Sequence, residues 1–144
     1  MSAPRLVCPD ALRPAGTGWT LLGSRCRACG EQFFPVTRAC ARCCGTDVED
    51  CALGDRGSLW SWTVQGFPPK APYDGGDGSD SFRPFGVGYV QLASGLKVEA
   101  RLTAADPAQL RIGMPMVLVA EPYRAVPGGE TVLTYAFAPA GASA

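Results

Sequence analysis

Apolar and polar residues alternate strictly between residues 96 and 102. The apolar positions are Leu96, Val98, Ala100 and Leu102, and the polar positions between them are Lys97, Glu99 and Arg101. A period of two residues places successive side chains on opposite faces of an extended chain. This segment is therefore predicted to be a β-strand with one buried face and one solvated face.

Four more segments have the composition of short strands. Residues 87–92 precede the alternating strand and form a hairpin with it through Ser94-Gly95. Residues 59–64, 116–119 and 131–137 are the other predicted strands, and the first should place Trp60, Trp62 and Val64 on one face. Asp106-Pro107 is predicted to cap a short helical turn that ends near Leu110, because proline is favoured at the first helical position.

Five short strands with a helical turn between the third and fourth are typical of an OB-type Greek-key barrel. A β-sandwich fragment or an SH3-like barrel fits the same order of elements. Before the barrel, proline and glycine interrupt residues 1–19, which are predicted to be a poorly structured lead-in. The predicted organisation is residues 1–19 as lead-in, 20–52 as a cysteine-rich module, 53–138 as the barrel and 139–144 as a flexible tail.

The charge balance narrows the classes of function. The chain of 144 residues has 13 basic and 13 acidic residues, and therefore lacks the basic footprint that holds nucleic acid by its phosphates. It contains no histidine, so the usual general base and every histidine-containing dyad or metal site are absent. No catalytic residue is predicted.

Membrane insertion is not predicted either. The longest apolar run, residues 116–120, is far too short to span a bilayer. The first nine residues lack the apolar stretch of a signal peptide. We therefore expect a soluble cytoplasmic protein.

Seven cysteines include two Cys-x-x-Cys pairs, Cys26/Cys29 and Cys40/Cys43. In a reducing compartment such pairs indicate a metal site more often than disulfides. Each pair forms a tight turn that offers two adjacent corners of a tetrahedron, which is the geometry that Zn²⁺ prefers. The four cysteines are predicted to hold a structural zinc ion, and nearby arginines are expected to soften the charge of about −2 that four thiolates leave on it.

The fourth ligand has an alternative. Glycine is expected just after the second cysteine of each turn because the backbone there is left-handed. Gly30 fits this position in the first turn, whereas Cys44 stands there in the second turn and Gly45 follows. Cys43 is the ligand if the regular spacing holds, and Cys44 if it slips. Iron in the same four-sulfur site and reduced cysteines without metal are further alternatives, while Cys8, Cys44 and Cys51 are expected to be ordinary free thiols.

The order of these motifs resembles the acyl-CoA-associated family that joins a zinc ribbon to an OB-fold domain. The resemblance covers residues 20 to 138 approximately. It is carried by the segments LGSRCRACG (residues 22–30), FFP (33–35), CARC (40–43), GSLWSWT (57–63), PFGVGYV (84–90), LKVEARL (96–102) and IGMPM (112–116). It implies a mainly β protein, with an N-terminal rubredoxin-like zinc ribbon followed by a five-stranded OB-fold barrel. Cys44, in place of glycine, departs from the family pattern.

The resemblance also implies a role. Family members are small non-catalytic subunits that form hetero-oligomers with thiolase-like enzymes, including steroid side-chain aldolases and benzoylsuccinyl-CoA thiolase. The ribbon is expected to dock on the catalytic partner, and the barrel to lie beside the CoA channel. Arg83, Lys97 and Arg101 are the candidate contacts to the CoA phosphates.

Two other functions fit parts of the sequence. Some family members accompany hotdog-fold enoyl-CoA hydratases instead of thiolases. A single-stranded nucleic-acid-binding module is a more distant alternative, because OB barrels recur in that role, but the neutral charge and the acidic segment 74–80 weigh against it. The glycine- and proline-rich segment 66–84 is predicted to be a long exposed loop. Its aromatic residues Phe67, Tyr73 and Phe82, with Phe85 directly after it, are expected to face a partner.

Overall fold

A computed structural model describes residues 4–70, 82–125 and 131–141 of the chain. This part of the chain contains ten strands and one short 3-10 turn, Pro107–Gln109. The strands are β1 Arg5–Leu6, β2 Leu12–Ala15, β3 Gly18–Cys26, β4 Gln32–Phe33, β5 Val48–Gly54, β6 Arg56–Gln65, β7 Phe85–Leu92, β8 Lys97–Leu102, β9 Pro115–Ala125 and β10 Thr131–Pro139. The loop aromatic Tyr73 and the acidic segment 74–80 lie outside the described residues.

The last five strands close into a barrel. Their order is β6–β7–β8–β10–β9, and β9 also pairs with β6, which completes the ring. Strands β8 and β10 run parallel, while the other neighbours in the ring are antiparallel. The mainly β fold class, with an OB-type barrel after an N-terminal ribbon, is therefore confirmed.

The hairpin and the capped turn are found where the sequence predicts them. Gly95 occupies the β7–β8 turn with a φ of 93°, a conformation that side chains rarely adopt. The Asp106 side chain accepts a hydrogen bond of 3.0 Å from the Ala108 backbone N–H, and Pro107 begins the 3-10 turn. Both features follow from local chemistry, since turns and caps depend on residues that are adjacent in the sequence.

The N-terminal lead-in is more ordered than predicted. Strand β1 pairs in parallel with β10, and β2 pairs antiparallel with β3. The prolines that suggested an irregular segment are compatible with these pairings, because Pro14 lies in an edge strand, where one face of the backbone needs no ladder hydrogen bond. Leu12 of β2 is 3% exposed, so burial of this side chain holds the segment on the ribbon.

The ribbon and the barrel share one hydrophobic core. Leu12 and Leu21 from the ribbon sheet belong to the same buried cluster as the barrel residues Leu59, Val90 and Phe137. A second junction is made by Phe34 and Tyr135, whose rings meet edge to face with centroids 5.4 Å apart. Packing across this junction fixes the ribbon against one side of the barrel.

One predicted face of β6 is wrong. Trp60 and Trp62 were predicted to lie on the same face of this strand. A β-bulge between Leu59 and Ser61 breaks the alternation, so Leu59 is fully buried whereas Trp60 is 50% exposed. Trp62, on the opposite face, packs against the core.

No helix in the described ranges has the length and apolar character needed to cross a membrane.

Candidate functional site

The ribbon brings four cysteine side chains together. Cys26 ends β3, Cys29 lies in the turn before β4, and Cys40 and Cys43 lie in the loop between β4 and β5. The four Sγ atoms are all within 4.8 Å of one another. The Cys26–Cys43 and Cys29–Cys40 sulfur pairs are 3.6 and 3.5 Å apart. Sulfurs around Zn²⁺ at about 2.3 Å would be separated by about 3.8 Å, so the cluster fits a tetrahedral ion after small adjustments.

The two cysteine turns have the same backbone geometry. In the first turn, the Cys26 N–H donates to Glu31 O and the Gly30 N–H donates to Cys26 O, at 2.9 and 2.8 Å. In the second turn, the Cys40 N–H donates to Gly45 O and the Cys44 N–H donates to Cys40 O, at 2.8 and 2.9 Å. These bonds hold each turn closed, so each pair of sulfurs is aimed at a common point.

Backbone hydrogen bonds change the acidity of two of the thiols. The Cys43 and Arg42 N–H groups donate to the Cys40 Sγ, each at 3.3 Å. The bond from Cys43 is the main cause that lowers the pKa of Cys40 to about 7, although burial opposes it. The Gly45 N–H lowers the pKa of Cys43, but hydrogen bonds with Cys26 and Cys40, together with burial, raise that pKa to about 12. The lowered pKa of Cys40 thus comes mainly from a backbone donor, whereas the raised pKa of Cys43 comes from the neighbouring sulfurs and burial.

Two arginines near the cluster contact carboxylates. Arg27 forms ion pairs with Glu49 at 3.0 Å and with Asp47 at 3.4 Å. Arg42 forms an ion pair with Glu31 at 3.3 Å. These exposed ion pairs connect the first cysteine turn to β5 and to the second cysteine turn. The two arginines therefore compensate the charge of carboxylates as well as any negative charge on the sulfurs.

The remaining cysteines lie apart from the cluster of four. Cys44 is exposed and has a φ of 63°, in the position that Gly30 occupies with a φ of 80° in the first turn. Cys8 is exposed, and partial burial raises the pKa of Cys51. A thiol with a raised pKa stays mostly protonated near neutral pH and is a poor nucleophile without a neighbouring base.

The cations predicted to contact CoA have different surroundings. Lys97 and Arg101 lie on the outward face of β8, and Arg83 is exposed just before β7. The Arg101 guanidinium stacks on Phe85 at 4.2 Å, and its Nε lies 3.3 Å from Glu121 Oε1. The Lys97 Nζ lies 4.7 Å from the centre of the Trp60 ring. Lys97 is thus held by an aromatic ring, whereas Arg101 is already paired with a carboxylate.

Sequence reasoning missed an aromatic corner on this face. The rings of Trp60 and Tyr89 meet at 88° with centroids 6.2 Å apart, and both side chains are exposed, by 50% and 42%. Strict alternation would have placed Trp60 inside the barrel, and only the bulge turns it outward. The local sequence Leu59-Trp60-Ser61-Trp62 contains no residue that signals such a bulge.

Two family models match consecutive parts of the chain. The rubredoxin-like zinc ribbon domain of ChsH2 matches residues 20–49, and the C-terminal OB-fold domain of ChsH2 matches residues 51–121. The two matches account for most of the sequence and agree with the ribbon and barrel described above.

Similar proteins have names that describe subunits and scaffolds. The chain is 29% identical over 131 residues to the benzoylsuccinyl-CoA thiolase subunit BbsA of Thauera aromatica, covering 90% of this chain and 84% of the relative. It is 27% identical over 106 residues to a DUF35 domain-containing scaffold protein of Pyrococcus furiosus, covering 74% and 72%. A solved structure of an Ltp2-ChsH2(DUF35) aldolase is similar with a TM-score of 0.61 and 26% identity, covering 84% of this chain and 85% of the other.

Proposed function

Because the chain belongs to the family that joins a ChsH2-type zinc ribbon to an OB-fold domain, we propose that it is a non-catalytic accessory subunit of a thiolase-like acyl-CoA enzyme. The observation that carries this proposal is the match over 90% of the chain to a protein named as a subunit of benzoylsuccinyl-CoA thiolase. The likeness to an aldolase assembly supports the same class of partner. The reaction is carbon–carbon bond cleavage or acyl transfer on a CoA ester.

The residues of this chain favour a supporting role over a catalytic one. The sequence has no histidine, so no imidazole base is available to the cysteines outside the cluster. A four-sulfur site that closes around an ion leaves no open position for water or substrate. In the proposed complex the partner therefore supplies the nucleophile and the acid–base groups, and this chain supplies binding surface.

The cysteine cluster is proposed to hold a structural Zn²⁺ through Cys26, Cys29, Cys40 and Cys43. When bound, the ion supplies a cross-link between the two cysteine turns. The chain's own hydrogen bonds already close each turn, and Cys26 and Cys40 are almost fully buried. The ribbon thus becomes a rigid element for docking on the partner.

The barrel is proposed to lie beside the channel that admits the CoA ester. Lys97 is the best placed of the three candidate phosphate contacts, since it is exposed and has no carboxylate partner among the described residues. Arg83 is exposed close to the loop, whereas Arg101 is committed to Glu121 and Phe85. Phe67, which is 78% exposed, is a candidate anchor against the partner.

Co-expression with a thiolase-like protein from a neighbouring gene tests the proposal. We expect the two chains to co-purify in a fixed ratio and to cleave an acyl-CoA only when both are present. A ribbon variant in which Cys40 and Cys43 are both replaced by serine should lose co-purification, and the matched control Cys8→Ser should keep it.

Three outcomes would contradict the proposal. Turnover of an acyl-CoA by this chain alone would make it an enzyme. Co-purification with an enoyl-CoA hydratase in place of the thiolase-like protein would change the class of partner. Failure to co-purify with the thiolase-like protein would remove the accessory role.

A further inference from the structure

A crevice separates the first cysteine turn from the β7–β8 turn of the barrel. Its volume is about 510 Å³, and its lining includes Arg25, Gly30 and Glu31 from the ribbon and Ser94, Gly95 and Lys97 from the barrel. Each module therefore contributes one cation to the same opening. A site at the junction of two modules is a common location for a small ligand.

The charges in the crevice favour an anion. Within the described ranges, Arg25 and Lys97 have no carboxylate within 4.0 Å. The one acid in the lining, Glu31, forms an ion pair with Arg42 at 3.3 Å, so its charge is largely compensated. Two cations facing a compensated acid leave a net positive crevice, and arginine and lysine are both residues that bind phosphate.

Lys97 connects this crevice to the aromatic corner. This residue lines the crevice, and its Nζ lies over the Trp60 ring, 4.7 Å from the ring centroid. Tyr89 stands at right angles to Trp60, and the bulge keeps Trp60 on the outside of the barrel. A phosphate in the crevice would draw the flexible lysine off the ring and expose its face for stacking.

We infer that the crevice and the aromatic corner together bind the adenosine-phosphate end of a CoA-type ligand, with a phosphate between Arg25 and Lys97 and the purine against Trp60 and Tyr89. This inference rests on the proposed function, because it assigns the nucleotide end of the acyl-CoA to this chain. The pantetheine arm and the acyl group then extend toward the partner. The same chemistry would also accept a nucleotide of a single-stranded nucleic acid.

Isothermal titration of the full zinc-loaded chain distinguishes these ligands. The probes are CoA, adenosine 3′,5′-bisphosphate, pantetheine and a short oligothymidylate. CoA and the bisphosphate should bind with dissociation constants that agree within about threefold, because both carry the group that the site recognises. Pantetheine should not bind, because it lacks both purine and phosphate.

Variants assign the contacts. Trp60→Ala and Lys97→Met should each weaken binding of the bisphosphate by about tenfold, and Arg25→Gln by about fivefold, which are typical losses for one stacking or phosphate contact. The controls are Ile112→Ala, another exposed apolar residue, and Arg13→Gln, another exposed arginine of the ribbon sheet. Both controls should stay within about twofold of the natural chain. Thermal unfolding confirms that each variant is folded.

Each contrary outcome is informative. Unchanged affinity in Trp60→Ala and Lys97→Met, or tighter binding of the oligothymidylate than of CoA, overturns the subsite. If the chain co-purifies with its thiolase-like partner but these variants leave the KM of the complex for CoA unchanged, the subsite is refuted and the accessory role stands. If no partner co-purifies, the accessory role is refuted, and the titrations decide the subsite by themselves.

Discussion

Cys44 occupies in the second cysteine turn the place that Gly30 occupies in the first. Both residues have positive φ, 63° and 80°, and both donate their backbone N–H to the carbonyl of the first cysteine of their turn. The side chain of Cys44 is exposed and its sulfur is not part of the cluster of four. Cys44 thus has the backbone role of a glycine, at some conformational cost.

Replacing Cys44 by glycine should therefore stabilise the protein. A non-glycine residue in the left-handed region costs about 1–2 kcal/mol, and glycine avoids most of it. We expect the free energy of unfolding to rise by about 1 kcal/mol, measured by urea denaturation of the zinc-loaded protein. Cys8→Ser is the control, with no expected change. A decrease in stability together with loss of metal would show that Cys44 is a ligand.

Single serine substitutions in the second turn should separate the ligand from its neighbour. Cys43→Ser should lower the metal content well below one ion per chain, because it removes one of the four clustered sulfurs. Cys44→Ser should leave the content at one. Elemental analysis of the purified proteins measures both zinc and iron. Equal metal content in the two variants would contradict this assignment of the fourth ligand.

Glu121 should give the stability of the barrel a defined pH dependence. Burial raises the pKa of this carboxyl above its ordinary value of 4.5, although Arg101 opposes the shift. A raised pKa means that the folded chain binds the proton more tightly than the unfolded chain. The associated stability is therefore complete below pH 4.5 and is lost as the pH rises through the folded-state pKa.

The Glu121→Gln variant tests this, because glutamine does not titrate. As the pH rises from about 4 to 7, the stability of the natural chain should fall relative to that of the variant. The cysteine cluster is common to both proteins, so its own pH dependence cancels in the difference. The control is Glu99→Gln, which alters an exposed carboxylate on β8. A difference that is constant with pH would contradict the prediction.

Gly88 should be intolerant of any side chain. A Cβ atom at this position would lie 2.6 Å from the Ser61 carbonyl oxygen and 3.1 Å from the side chains of Leu59 and Leu102. Gly88→Ala is expected to lower the free energy of unfolding by about 1–3 kcal/mol through overpacking. Gly66→Ala is the matched control, because its added Cβ meets no atom within 4 Å. Similar stability of the two variants in urea would show that β6 and β7 separate at little cost.

The sequence was sufficient wherever neighbouring residues determine the outcome. The alternation from Leu96 to Leu102 predicted the buried face of β8, and Val98, Ala100 and Leu102 are indeed buried. Ser94-Gly95 predicted the hairpin, and Asp106-Pro107 predicted the capped turn. The spacing of the cysteine pairs predicted the turns that present their sulfurs. The hairpin between adjacent strands, the turns and the tight cysteine loops have short-range causes, so a single sequence carries them.

Tertiary structure decided the features that depend on distant partners. Residues 5–6 pair with β10 and residues 12–15 pair with β3, which no local pattern in a proline-rich segment reveals. The bulge that turns Trp60 outward is set by register with β7, and the partnership of Arg101 with Glu121 depends on strands 20 residues apart in the chain. The crevice between Arg25 and Lys97 exists only because the shared core docks the ribbon on the barrel. The chemistry of individual residues was thus evident from the sequence, and their combination into surfaces was decided by long-range packing.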